Sequence, residues 1–317
     1  MGSKMTSMSR ILVFGAESLV GSHFVKTSEH RVVAAGRRDP RSVGLPVEEF
    51  CKVDLERPGD AASIVSDSNV DSVVNFAAAT DVDAVERERP ASADAPRGTA
   101  FEVNSLAPAA IAGAAFAKGR SFVSLSTDFV FDGREGPYPE SARPSDFSSR
   151  VSWYGWTKGR GEELVRNANP SASIIRISYP YRAEFALKDD FGRRILAAWK
   201  QSKRIAYFRD QWITPTWVPD VSRAVDLLLQ RRLSGTFHVA SPERTTPYDF
   251  ARELLASTEG DEAEILSGSM EAFLRKPGST PRPQRGGLSC ARIEAEGLRL
   301  TSWREGIRRL VHEHGVS

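Results

Sequence analysis

The chain has 317 residues, of which 40% are hydrophobic and 26% charged, and its formal net charge is +2. This length suits one large α/β domain or two coupled domains, and the near-neutral charge gives no argument for a nucleic-acid or membrane partner. The two cysteines, Cys51 and Cys290, and the five histidines show no metal-ligand spacing. Neither a disulfide framework nor a metal site is therefore expected.

The N-terminal stretch, MGSKMTSMSR, is polar and lacks the apolar core of a signal peptide. No apolar run approaches the ~20 residues that a membrane span needs. We therefore expect a cytoplasmic protein whose fold begins after roughly the first eight residues.

The first predicted element is a buried parallel strand at residues 10–14, a short and bounded apolar run. A turn with two glycines leads from it into a helix, and Ser18 stands where the usual pattern has a third, central glycine. A strand, a glycine turn and a helix N-terminus form the setting in which a dinucleotide pyrophosphate binds, although a plain βα turn is the alternative. The predicted cofactor contacts here are Gly15, Ser18, Leu19, Val20 and Gly21.

A second strand is predicted at residues 31–35, and Gly36, Arg37 and Arg38 follow it. An acidic residue at this place would bind the ribose 2′-hydroxyl of NAD, whereas an arginine accommodates the 2′-phosphate of NADP. Since no acidic residue occurs before Asp39, Arg37 and Arg38 favour NADP, with NAD still possible. The alternative is that both arginines point to solvent.

Two more strands, at residues 50–54 and 70–76, are predicted to end at the same edge of the sheet. Asp54 and Leu55 would lie beside an adenine ring. After the next strand, Ala77, Ala78 and Ala79 are small enough to let a cofactor lie against the backbone, or they simply pack well.

An alanine-rich helix follows at residues 101–118, and its Pro108 predicts a kink. Asn104 is polar on an otherwise apolar face. It is either a satisfied core asparagine or a support for the cofactor-binding region around Lys158, acting through water.

The chemistry is predicted from two groups of residues. A strand at residues 121–125 ends in Ser126, Thr127 and Asp128, and Tyr154 and Lys158 lie four apart on one face of a later helix. An ammonium near a phenol favours the phenolate, so Lys158 is expected to lower the pKa of Tyr154. With Thr127 bonded to a carbonyl, this set can move a proton at a carbonyl or alcohol centre, although the Tyr-Lys spacing alone is a weak motif.

A strand at residues 173–178 completes an alternation of strands and helices, which predicts a Rossmann-type, doubly wound parallel sheet. Beyond Tyr179 the alternation weakens. We predict an NADP-binding domain at residues 9–180, with 218–241 returning to it. A smaller, interleaved substrate-binding lobe is predicted at 181–217 and 242–317.

Taken in order, these motifs resemble the extended short-chain dehydrogenase/reductase superfamily, and within it the dTDP-4-dehydrorhamnose reductase family. The resemblance spans nearly the whole chain. It is carried by NFAAAT at 75–80 with Val82, Asp83 and Glu86, Asn104 with Ala107 and Pro108, STDFVFDG at 126–133, PYPE at 137–140, YGWTKGRGE at 154–162, and Asp210-Gln211 with Pro215, Thr216 and Asp220.

The resemblance implies an NAD(P)H-dependent reductase of a nucleotide-linked 4-keto-6-deoxy sugar. A homodimer is the assembly that we expect. Tyr154 would supply the proton, Thr127 would orient the carbonyl and Lys158 would hold the cofactor ribose. Arg282, in the C-terminal loop, is expected at the substrate diphosphate. The other substrate contacts that the resemblance implies are Val82, Asp128, Phe129, Tyr154 and Tyr179.

Three departures from the family pattern concern the substrate more than the chemistry. Ser18 replaces a glycine, Tyr179 stands where tryptophan is common, and residues 282–289 differ from the usual R-P-x-N-S-x-L-D loop. A different sugar is therefore open, as are an epimerase or dehydratase of the same superfamily and a non-catalytic dinucleotide-binding regulatory subunit.

Overall fold

The structure, a computed structural model, describes residues 8–94, 96–183, 187–258 and 265–314. Nine strands are found in this part of the chain. They are β1 (Arg10–Phe14), β2 (Arg31–Gly36), β3 (Glu49–Lys52), β4 (Ser72–Asn75), β5 (Ser121–Thr127), β6 (Ser173–Ile177), β7 (Ala206–Phe208), β8 (Gly235–His238) and β9 (Leu266–Gly268).

Twelve α-helices connect and cover these strands in the same described ranges. They are α1 (Leu19–Thr27), α2 (Pro58–Asp67), α3 (Val82–Glu86), α4 (Thr99–Phe101), α5 (Ala107–Ala117), α6 (Trp153–Ala168), α7 (Phe191–Lys200), α8 (Val218–Arg231), α9 (Pro247–Ala256), α10 (Met270–Leu274), α11 (Ala291–Ala295) and α12 (Trp303–His314).

Seven strands form one parallel sheet in the order β3-β2-β1-β4-β5-β6-β8. The chain runs outward from β1 to β3 and then returns to β4, so the strand order reverses between β1 and β4. Ligands of open α/β sheets bind at the carboxyl ends of the strands beside such a reversal. The sheet therefore places the predicted site at the carboxyl ends of β1, β4 and β5.

Helices cover both faces of this sheet. Successive residues of a strand point to opposite faces, and in β1 both sets are apolar: Val13 packs with α8 on one face, while Leu12 and Phe14 pack with α5 on the other. Burial on two faces explains the continuous apolar runs in the sequence. The predicted doubly wound Rossmann-type fold is confirmed.

The predicted helix at 101–118 is found as α4 and α5 joined by one π-helical turn, Glu102–Leu106. Pro108 has no N–H to donate, and the Ala107 N–H instead reaches back five residues to the Glu102 carbonyl. The structure thus has a π-helical turn where the sequence predicted a kink. The stretch Thr99–Ala117 is long and apolar enough to span a membrane by length and composition alone, yet it packs between α2 and α6.

A second apolar cluster, around Tyr181, Phe250 and Trp303, lies outside the main sheet. It joins α7, α9 and α12, and with the parallel pair of β7 and β9 it forms what we call the small lobe. The chain leaves the sheet after β6, enters this lobe, returns as α8 and β8, and leaves again. The chain therefore passes between the sheet and the small lobe more than once, and the domain bounds and the substrate-binding role of this lobe stay predictions.

Candidate active site

A cleft of about 600 Å³ opens at the carboxyl edge of the sheet, beside the small lobe. It is lined by the first turn of α1, the ends of β4, β5 and β6, the start of α6 and the C-terminal loop. The structure brings twelve of the predicted site residues together in it: Ser18, Leu19, Val20, Ala78, Val82, Thr127, Asp128, Phe129, Tyr154, Lys158, Tyr179 and Arg282.

The glycine turn allows two close backbone approaches. A Cβ on Gly15, whose φ is 77°, would lie 2.5 Å from the backbone nitrogen of Ala77, and a Cβ on Gly21 would lie 2.2 Å from the Gly15 carbonyl oxygen. Ser18 caps α1, because its Oγ accepts from the Gly21 N–H at 3.0 Å. The serine that replaces the central glycine thus folds back on its own helix. In the same first turn, the N–H groups of Leu19 and Val20 are the ones left to a pyrophosphate.

Four predicted cofactor residues lie at the same edge of the sheet but outside the cleft. Arg37 and Arg38 are exposed after β2, and Arg38 Nε lies 3.5 Å from a carboxylate oxygen of Glu17. Because β2 and β3 are neighbours in the sheet, Asp54 and Leu55 follow β3 on the arginines' side. This is the side at which the adenosine end of a dinucleotide would extend from the glycine turn.

Asn104 is buried in the π-turn, and both ends of its amide bind protein groups. Its Oδ1 accepts from the Ala79 N–H at 2.9 Å, and its Nδ2 donates to the Ala79 carbonyl at 3.1 Å and to Thr157 Oγ1 at 3.2 Å. These bonds tie the loop after β4 to α6. Asn104 therefore positions Ala79 beside α6, and a contact of its own with cofactor stays a prediction.

The three predicted catalytic residues meet where β5 ends against α6. A Cβ on Gly155 would lie 2.0 Å from the carbonyl oxygen of Phe129, so only glycine lets the start of α6 come this close to the residues after β5. Thr127 is the last residue of β5, and Tyr154 and Lys158 occupy successive turns of α6. All three line the cleft.

Burial raises the pKa of Tyr154 to about 12, the charge of Asp128 adds to the rise, and a polar contact with Thr127 partly offsets it. The expectation that Lys158 lowers the pKa of Tyr154 is therefore wrong. The Lys158 ammonium instead donates to the Leu125 carbonyl at 2.7 Å. At neutral pH Tyr154 is thus fully protonated, the form that can give a proton.

Asp128 is buried beside Thr127, and burial raises the pKa of its carboxyl to about 6. Ser178 Oγ donates to Asp128 Oδ2 at 2.7 Å, and Thr127 Oγ1 lies 3.4 Å from Oδ1. Ser178 was not predicted as a site residue. Its place directly after β6, at the same sheet edge as Thr127, was the signal that could have identified it.

The side of the cleft where substrate is predicted to bind, called the substrate side below, includes a strained residue. Tyr179 has a φ of 43°, which few non-glycine residues adopt and which persists only when surrounding contacts hold it. Gln211 Nε2 supplies such a contact, donating to Tyr179 Oη at 2.9 Å and to the Pro283 carbonyl at 3.0 Å. Gln211, whose role the sequence did not reveal, thus joins Tyr179 to the C-terminal loop.

Arg282 is held at the rim of the cleft by an ion pair. Its Nη2 donates to the two carboxylate oxygens of Asp83 at 3.0 and 2.9 Å, and burial is partial, with 20% of the Arg282 side chain exposed. Lys188 and Arg194, which were not predicted, add two more cations to the lining. This rim suits an anionic group of a ligand.

Comparisons with known proteins agree with this geometry. The family described as "RmlD substrate binding domain" matches residues 8–316. The chain is 33% identical to the probable low-salt glycan biosynthesis reductase Agl14 of Haloferax volcanii, over 90% of this chain and 91% of that protein. It is 31% identical to a dTDP-4-dehydrorhamnose reductase of Sinorhizobium fredii, over 81% and 85% of the two chains.

A solved structure supports the same assignment. The crystal structure of a dTDP-4-dehydrorhamnose reductase from Clostridium acetobutylicum superposes with a TM-score of 0.78 at 25% identity, and the match covers 96% of this chain and 98% of that one. The matched sequence, fold and cleft lead to one assignment. The chain belongs to the RmlD substrate binding domain family of extended short-chain dehydrogenases/reductases.

Proposed function

We propose that this chain is an NADPH-dependent reductase of a nucleotide-linked 4-keto-6-deoxy sugar, with NADH as the alternative cofactor. The observation that carries the proposal is the meeting of Thr127, Tyr154 and Lys158 in one cleft with the glycine turn of α1. The similarity to a reductase of Haloferax volcanii and a dTDP-4-dehydrorhamnose reductase of Sinorhizobium fredii supports the substrate class.

The cofactor would lie along the carboxyl edge of the sheet. The turn from Gly15 to Gly21 would hold the pyrophosphate, and Arg37 with Arg38 the 2′-phosphate. The adenine would lie near Asp54, and Ala77, Ala78 and Ala79 would leave room for the cofactor at the end of β4. Bound in this way, the nicotinamide supplies the hydride for the ketone carbon.

Tyr154 donates the proton to the carbonyl oxygen, and Thr127 orients that oxygen by a hydrogen bond. The pKa of Tyr154, about 12, keeps the phenol protonated until charge develops on the substrate. The phenolate left behind needs a nearby cation. Lys158, one turn further along α6, would supply it once bound cofactor draws the ammonium away from the Leu125 carbonyl.

The substrate sugar would lie between Asp128, which accepts hydrogen bonds from its hydroxyls, and the rings of Phe129 and Tyr179. Val82 would complete the apolar wall around the C6 methyl group. Arg282 would bind the diphosphate, and Lys188 and Arg194 would add positive charge beside it.

The test is NADPH consumption with a panel of dTDP-, GDP- and UDP-linked 4-keto sugars, with simple aldehydes and ketones as controls. We expect turnover with at least one nucleotide sugar and little with the controls. Turnover confined to small carbonyls would contradict the nucleotide-sugar assignment. The proposal includes a cytoplasmic location, and the predicted homodimer is a separate question for sedimentation.

A further inference from the structure

Glu162 is a buried carboxylate on α6, one helical turn beyond Lys158. Its Oε1 accepts from Ser126 Oγ at 2.6 Å and from Arg176 Nε at 2.8 Å, and its Oε2 accepts from Arg176 Nη2 at 2.6 Å. The half-exposed Arg166 approaches Oε2 at 3.3 Å. Burial raises the pKa of Glu162, but these donors together hold it below its ordinary value, so the group is ionised.

Arg176, on β6, is fixed from all sides. Only 1% of it is exposed, and its Nη1 donates to the Ala142 carbonyl at 3.0 Å and lies 3.3 Å from His238 Nε2. Burial, with the charge of Arg176, lowers the pKa of His238 to about 3, so the imidazole is neutral. The bidentate pair of Arg176 with Glu162 is therefore a rigid element behind the active site.

Through Ser126 this pair reaches the end of β5. Ser126 directly precedes Thr127, and side chains of adjacent strand residues point to opposite faces. The hydrogen bond from Ser126 to Glu162 therefore holds the strand from behind while Thr127 faces the substrate. Ser126, Lys158 and Glu162 also line one small cavity of about 10 Å³.

Glu162 also acts on Lys158 by its charge. Burial lowers the pKa of Lys158 to about 8, and Glu162 opposes that shift. The buried charged or titratable groups on the elements packed around Lys158 are Asp128 after β5, Tyr154 and Glu162 on α6, Arg176 on β6 and His238 on β8. The other charged groups near it on α6, Arg160, Glu163 and Arg166, are exposed or partly exposed. With a pKa so near neutrality, loss of one favourable charge would leave roughly half of the Lys158 side chains uncharged at neutral pH.

We propose that Glu162 is the positioning residue of this site: it anchors the strand end that carries Thr127, and it offsets the burial of the Lys158 ammonium. The idea rests on the proposed function, in which Thr127 and Lys158 act in the reduction. Glu162 itself does not line the cleft.

The main test is the pH profile of kcat/KM for Glu162→Gln, which removes the charge and nearly keeps the shape. A lysine that must be charged supports activity below its pKa, and activity is lost as the pH rises through that value. We expect the basic limb to lie near pH 8 in the unchanged protein and about one unit lower in Glu162→Gln. The control is Glu163→Gln. Glu163 is an exposed neighbour that pairs with Arg160, so its substitution should leave the basic limb at the same pH.

A second readout needs no substrate. Cyanate carbamoylates only uncharged amines, so the pH dependence of Lys158 labelling, measured on its peptide by mass spectrometry, reports the pKa directly. The pKa of Lys158 should fall in Glu162→Gln and stay unchanged in Glu163→Gln. If the unchanged protein reduces no sugar, the proposed function fails, and the labelling profile still decides the charge role of Glu162.

Ser126→Ala covers the case in which Glu162→Gln does not fold. It removes one hydrogen bond and no charge, so kcat should fall about tenfold through misplacement of Thr127, with the basic limb unmoved. If Glu162→Gln keeps the basic limb of the pH profile and the Lys158 labelling profile of the unchanged protein, Glu162 has only a structural role. An unchanged kcat in Ser126→Ala would equally overturn the anchoring role.

Discussion

The two sides of the cleft are built in different ways. On the cofactor side, contacts come from backbone at neighbouring strand ends, such as Gly15 against Ala77, and the sheet itself fixes them. On the substrate side, side chains from distant parts of the chain hold one another: Arg282 pairs with Asp83, 199 positions away. This comparison teaches that changes in the loops can alter which substrate binds, while the sheet keeps the cofactor site and its reaction the same.

The largest expected effect lies where the two sides meet. Tyr154→Phe removes the proposed proton donor, and since general acid catalysis is worth about 10²–10⁴-fold, we expect kcat to fall by that factor. NADPH affinity, measured by fluorescence titration, should be nearly kept. Tyr207→Phe is the matched control, because Tyr207 lies on β7 in the small lobe. Full turnover in Tyr154→Phe would remove Tyr154 from the mechanism.

The next effect tests the cofactor side alone. Arg37→Ala should weaken NADPH binding by about 10–100-fold and leave NADH binding unchanged, because a charge-assisted hydrogen bond contributes about 1.5–3 kcal/mol. Arg41→Ala is the control, since Arg41 is exposed nearby and already paired with Asp39. Equal losses for the two cofactors would make Arg37 a surface charge only.

Asp128 should show a conflict between stability and activity. Its pKa of about 6 in the folded protein exceeds the value of about 3.9 expected in the unfolded chain. The native state therefore holds this proton more tightly, and stability is lost as the pH rises from about 4 through 6. We expect Asp128→Asn to raise the free energy of unfolding by about 1–3 kcal/mol at pH 7.5 and to leave it unchanged at pH 4.

The same variant should lower kcat/KM, because the amide is a poorer acceptor for sugar hydroxyls than the carboxylate. Chemical denaturation at both pH values and steady-state kinetics measure the two effects. A destabilisation of similar size at both pH values would show that the charge of Asp128 is not a cost to the fold.

The smallest effect concerns the rim of the substrate side. Asp83→Asn releases Arg282 from its ion pair, and exposed pairs contribute at most about 1 kcal/mol. The KM for the nucleotide sugar should therefore fall by less than about fivefold. Glu271→Gln, which breaks another exposed pair with Arg275, should leave KM unchanged. A rise in KM for Asp83→Asn would mean that the pair orients Arg282 for the diphosphate.

The sheet and the cofactor side could be predicted from sequence because their signals are local. Short strand-like runs predicted the six strands β1 to β6 of the main sheet, and the glycine turn followed β1 directly. The short elements α3, α10, α11 and β9 were missed because tertiary contacts stabilise them. In α10, for example, the Met270 N–H donates to Asp210 at 2.5 Å, 60 positions back in the chain.

On the substrate side, sequence predicted which residues matter better than how they are held. Tyr179 and Arg282 were selected, but Ser178 and Gln211 were not, because their partners lie far along the chain. The pKa of Tyr154 was misjudged for a related reason. Helical spacing placed Lys158 on its face, but only the fold showed that the ammonium is bound to the Leu125 carbonyl.

The central claim is that hydride passes from cofactor to the ketone carbon of a nucleotide sugar and stays there. The most direct measurement is turnover with NADPH carrying deuterium at the transferred position of C4, followed by mass spectrometry and NMR of the sugar. The account predicts one deuterium at C4 of the product and stoichiometric NADP⁺. Product formed without net NADPH oxidation, as from an epimerase or a dehydratase, or no transfer to any sugar, as from a regulatory subunit, would contradict it.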